Sequence, residues 1–160
     1  MAIGYAPLYD VTHAVGRGGA NEKLDVMLVQ FFLFSVYLDS GWPMESIFRV
    51  DVMPRDGPKP IFPLNGTFTP GLITWIETFQ QAANAQGFGP LIVDSKISHA
   101  GTAWGNRRPT VHKRYTIQVL NEILFKSSKN RFWNLFQDTS FPGPLKQELS
   151  VLRFAFDPKL

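Results

Sequence analysis

Apolar residues recur at helical spacing in three stretches of this chain. In residues 21–38, Val26, Gln30, Leu33 and Tyr37 fall on one face, while Leu28, Phe31 and Phe32 point elsewhere. A helix that is hydrophobic nearly all round has to be covered on two sides. The cover expected is the segment around residues 42–62 or the aromatic C-terminal region, with a subunit contact as the alternative. A second stripe runs through Leu72, Ile76, Phe79 and Ala83, flanked by Ile73 and Gln80 on one side and Trp75 on the other. A third uses Ile117, Leu120 and Leu124, with Val119 and Ile123 on another side. Three such helices close one small core, because each has a face it cannot bury alone. Alternation of period two appears in Ile47-Phe48-Arg49-Val50-Asp51-Val52-Met53 and again over residues 150–156, predicting short strands in the insert and in the C-terminal extension. The predicted fold is mainly α.

Turn and cap chemistry punctuates these helices. Asn21 is expected to cap the first and Thr69 the second, with Pro70 at the first helical position, where its missing N–H costs nothing. Asn65-Gly66 is a turn dipeptide. Gln30 and Gln80 sit at similar places beside their apolar stripes, and a buried amide needs partners, so both are expected to bond loop backbone. The two helices share a Val-Gln or Phe-Gln ending, an internal echo too short to establish a duplication.

Four segments follow one another along the chain: Val15-Gly16-Arg17-Gly18-Gly19-Ala20-Asn21 with Asp25-Val26 and Val29-Gln30, the run from Leu64 through Asn65-Gly66-Thr67-Phe68-Thr69-Pro70 to Phe79-Gln80, Ile92-Val93-Asp94-Ser95-Lys96-Ile97, and Thr116-x-x-x-Leu120-Asn121. Their order resembles the peptidoglycan-binding-like domain family, a three-helix cell-wall-binding module. Asn65 stands where that family usually has Asp, Ser95 where it has Gly, and inserts at about 39–63 and 98–115 separate the helices. The resemblance implies a core at about 15–125, followed by a packed extension at 126–160, within a single domain of 160 residues. The extension carries Phe132, Trp133, Phe136, Phe141, Phe154 and Phe156, too much aromatic surface for a solvated tail.

Composition narrows the partners. At 44% hydrophobic and 18% charged the chain is suited to a folded core. A net charge of +3 and a pI near 9.3 favour acidic partners such as wall polymers, nucleic acid or anionic lipid. The absence of cysteine excludes disulfides, thiolate metal sites and cysteine nucleophiles. No basic and then apolar leader of the conventional secretory type opens the sequence, so contact with a cell wall implies a non-classical route, release by lysis or carriage on a secreted particle. The longest apolar run, residues 26–38, is broken by Gln30 and Ser35 and falls short of the roughly 20 residues a membrane span needs.

Catalytic patterns are thin. His13, His99 and His112 share no zinc-binding spacing, no Gly-x-Ser-x-Gly elbow occurs, and none of the thirteen acidic residues stands out as a hydrolytic pair. Gly16-Arg17-Gly18-Gly19 lacks the lysine and hydroxyl of a phosphate loop and is read as loop geometry. The candidate binding surface is the segment from Trp104 to Tyr115. There Trp104, Asn106, Arg107, Arg108, His112 and Arg114 set fixed positive charge beside amide and aromatic groups. Guanidinium groups could clamp stem-peptide or muramyl carboxylates while Trp or Tyr stacks on sugar faces, and the same chemistry suits nucleic-acid phosphates. The competing reading is a solvated basic loop with Trp104 and Tyr115 as buried anchors. The function expected is a noncatalytic peptidoglycan-binding module needing no cofactor. The alternative is a structural or assembly protein of a filament, phage-like particle or secretion apparatus, held together through helix one and the C-terminal extension.

Overall fold

Every residue of 25–33 is buried, which no amphipathic surface helix allows, so the helix that carries them lies inside the molecule with neighbours on all sides. In this computed structural model the described residues are 9–39, 64–88, 90–100, 115–127, 132, 134–139 and 141–152. The central helix, α1, spans Lys23–Asp39, followed by α2 (Pro70–Ala85), α3 (Thr116–Ser127) and α4 (Gly143–Leu152). α1 packs against each of the other three. Two short strands, β1 (Val15–Gly16) and β2 (Lys96–Ile97), pair antiparallel with Val15 opposite Ile97 and Gly16 opposite Lys96. Both strands lie against α2. The described fold is thus mainly helical.

Val26, Gln30 and Leu33 of the first expected stripe are buried, as are the second and third stripes. Leu72, Ile76, Phe79 and Ala83 of α2 join Val26 and Leu33 of α1 and Leu120 and Leu124 of α3 in one hydrophobic cluster. That cluster reaches beyond residues 15–125 at both ends, taking in Tyr9 and Val11 before β1 and Phe132, Leu135, Phe141 and Leu145 after α3. The second face of α1 is therefore covered within the chain. Phe141 meets Phe31 edge-on at 4.8 Å between ring centroids, and Tyr9 lies 6.0 Å from Phe32 and 5.1 Å from Phe132. The edge-to-face pairs Phe31–Phe141 and Tyr9–Phe132 add about 0.5 to 1.5 kcal/mol each beyond the area they bury.

Three local expectations are corrected. Residues 150–152 belong to α4, so the period-two pattern there is not a strand. Pro144 falls in the first turn of α4, where no N–H is required, and Leu145, Leu149 and Leu152 follow at helical spacing. The expected strand at 47–53 lies outside the described residues, and the pairing found joins β1 to β2. Asn21 does not cap α1, which begins two residues later. Its backbone takes a left-handed φ of 53° and its side chain turns back to bond Gly16 and Gly19. Thr69 has the extended backbone of a cap residue but, among the described residues, its hydroxyl makes no cap bond.

Candidate binding surface

Two buried glutamines set the shape of the surface. Gln30 on α1 accepts the Gly66 N–H on Oε1 at 2.9 Å and donates Nε2 to the Thr67 carbonyl at 3.1 Å. Gln80 on α2 repeats the arrangement one turn later: Oε1 accepts the Ser95 N–H at 3.0 Å, and Nε2 donates to the Lys96 carbonyl at 3.0 Å. In both turns the residue held by the amide oxygen is left-handed, Gly66 at φ 73° and Ser95 at φ 60°. In both, the preceding side chain accepts the N–H two residues on, Asn65 from Thr67 at 2.9 Å and Asp94 from Lys96 at 3.0 Å. The internal echo is thus a repeated hydrogen-bond pattern, although both glutamines lie within their helices and not at the ends expected of them. The separations differ, 36 residues from Gln30 to Gly66 and 15 from Gln80 to Ser95, and the difference of 21 falls where the first insert lies.

Glycine is required at one turn and crowded at the strand pair. A Cβ at Gly66 would strike the Lys23 carbonyl, and one at Gly16 would strike that of Ser95. The left-handed conformation costs Ser95 strain that glycine avoids, and its hydroxyl has a partner in Glu77 at 2.9 Å.

The other buried polar groups also hold loops. Asn121 on α3 bonds the Tyr9 backbone in both directions and the Ile117 carbonyl, and Thr116 Oγ1 accepts from Gln80 Nε2 at 3.0 Å. Asp25 accepts the N–H groups of Thr12 and His13, and Asp10 accepts that of Ala100 on both oxygens. Two exposed histidines lean on these carboxylates, His99 Nδ1 at 2.8 Å from Asp10 and His13 Nδ1 at 3.6 Å from Asp25. No group of three or more metal-binding side chains forms among the described residues. There Ser35 Oγ is the sole buried side-chain polar atom without a hydrogen bond.

The predicted ligand residues Trp104, Asn106, Arg107, Arg108, His112 and Arg114 all lie outside the described residues. The chain on either side of them is firmly held. Ala100 is buried and bonded to Asp10, and Thr116 is buried and bonded to Gln80. Tyr115, expected as a buried anchor in the competing reading, is 40% exposed, and Ile92 and Val93 are also exposed, at 50% and 42%. Because Asp94 and Thr116 both bond Gln80 Nε2, Val93 and Tyr115, the residues just before them, flank one amide. Sequence gave no sign of this apolar exposure, since Ile92 and Val93 sit beside a turn but have the character of core residues.

No helix among the described residues is long and apolar enough to cross a membrane. Comparison with protein-family models, curated protein sequences and solved structures finds no match.

Proposed function

We propose that the protein is a noncatalytic peptidoglycan-binding-like module, in which α1, α2, α3 and the two glutamine-held turns form the scaffold and the 101–114 segment supplies ligand contacts. The observation that carries this reading is the pairing of Gln30 with the Asn65-Gly66 turn and of Gln80 with the Asp94-Ser95 turn, since these residues are the ones on which the family resemblance rests. Exposed Ile92, Val93 and Tyr115 offer apolar surface for sugar faces, and the guanidinium groups of the segment that precedes Tyr115 in the sequence suit carboxylates. The assembly alternative draws less support than the sequence suggested. The described part of α1 has its apolar residues covered from within the chain.

The test is sedimentation with purified sacculi across a salt titration, together with the mass of the free protein. A monomer that binds saturably and is released by salt fits the proposal. Replacing Arg107, Arg108 and Arg114 together by Gln should abolish binding while shifting stability by under about 1 kcal/mol, as expected for exposed charges. Undiminished binding with the same salt dependence would reject the segment as the site. Equal retention on a nucleic-acid column would show a general polyanion preference, and large homogeneous assemblies without wall binding would favour the assembly reading.

A further inference from the structure

We propose that Asn65 is a modification site: an Asn-Gly pair able to convert spontaneously to aspartate through a cyclic imide, and held shut in the folded protein by Gln30. The chemistry needs no enzyme. The deprotonated backbone nitrogen of Gly66 attacks Asn65 Cγ, the N–Cγ bond forms, the Cγ–Nδ2 bond breaks, and ammonia leaves carrying a proton. Water then adds to one of the two imide carbonyls and opens the ring to aspartate or isoaspartate. A following glycine favours the attack because no Cβ obstructs it.

The fold both presents the site and blocks it. Asn65 is exposed, so water reaches its side chain, while Gly66 is buried. The Gly66 N–H that must lose its proton is donated to Gln30 Oε1 at 2.9 Å. The Asn65 side chain is itself engaged, its Oδ1 accepting the Thr67 N–H at 2.9 Å. Reaction therefore waits for a local opening that frees Gly66 from Gln30, and its rate reports that opening. The second turn indicates what the aspartate product would do. Asp94 occupies the position equivalent to Asn65 and makes the same bond, to Lys96 N–H at 3.0 Å, so aspartate at 65 preserves the turn. Isoaspartate adds a methylene to the main chain just before Gly66 N and turns the former side-chain carbonyl into the peptide link, so no side-chain oxygen stays in the Asn65 position to accept the Thr67 N–H.

The experiment incubates the full chain at mildly alkaline pH, folded and in guanidinium chloride, and follows the Asn65 peptide by mass spectrometry. The folded protein should convert more slowly by roughly tenfold or more, because opening must break a buried amide bond. Gln30→Met, which removes the acceptor, should move the folded rate toward the unfolded one, whereas Gln30→Glu keeps an acceptor for Gly66 and should stay slow. Equal rates in folded and unfolded wild type would overturn the proposal, as would slow conversion in a folded Gln30→Met protein. If Gln30→Met does not fold, the comparison of folded with unfolded wild type decides alone. Asn65→Asp should melt at the wild-type temperature, and a clear loss of stability would overturn the claim that the product is accommodated.

Discussion

Gln80 Nε2 has two hydrogens and three acceptors at 3.0 Å, Asp94 Oδ1, the Lys96 carbonyl and Thr116 Oγ1, while its Oε1 receives the N–H groups of Asp94 and Ser95. One fully buried side chain thereby ties α2, the second turn and the start of α3 together. Gln80→Leu would leave the buried Ser95 N–H and its neighbours unpaired, at about 1 to 3 kcal/mol for each group that water cannot reach, so a loss of about 2 to 5 kcal/mol is expected in urea unfolding. Gln80→Glu keeps an acceptor but sets a carboxylate against Asp94, and Asp94→Asn should recover part of that loss. An unchanged midpoint for Gln80→Leu would mean that water satisfies the turn. The roles of Gln30 and Gln80 were legible from sequence because an amide beside an apolar stripe must find partners. Left-handed Ser95 was not legible, because nothing local favours that conformation over glycine's and its Glu77 bond arises only on folding.

Among the elements, α1 shows how far periodicity reaches. Its all-round apolar character correctly required cover on two sides, but part of the cover comes from Tyr9 and Val11, in an N-terminal segment with no helical or strand pattern of its own. That segment is fixed by Asn121, Asp25 and Asp10, long-range bonds that no local window contains. α4 was misread because alternation over a few residues fits either period, and the deciding signal lay upstream in Pro144 and Leu145. α2, strongly amphipathic and begun by Pro70, was legible throughout. Its best single probe is Phe79, fully buried in the shared cluster. Phe79→Ala should cost about 3 to 5 kcal/mol by calorimetry or denaturant unfolding. A folded variant with an unchanged midpoint would remove Phe79 from the core and break the link between α2 and the other helices.

For the whole molecule, the candidate site was legible only as composition. Sequence identifies the basic, aromatic segment between Ala100 and Tyr115, but the exposure of Ile92, Val93 and Tyr115 depends on how α2, β2 and α3 pack, which composition does not encode. The C-terminal extension poses the reverse case, since its aromatic content already demanded a place in the core. The Phe31–Phe141, Phe125–Phe132 and Tyr9–Phe132 ring pairs, with Leu145 buried beside them, make it part of the cover over α1. Truncation after Lys126 would strip Phe132, Leu135, Phe141 and Leu145 from Tyr9, Phe31 and Phe32 and leave a contiguous apolar surface of the kind that drives association. Sedimentation velocity should therefore find the truncated chain aggregated, with a lower melting temperature, while the intact chain resists limited proteolysis between α3 and α4. The opposite result has a definite meaning. If protease rapidly removes residues 127–160 from the native protein and leaves a soluble, equally stable monomer, the ring contacts contribute nothing net, and α1 must be sheltered by the N-terminal segment and α2 and α3 alone.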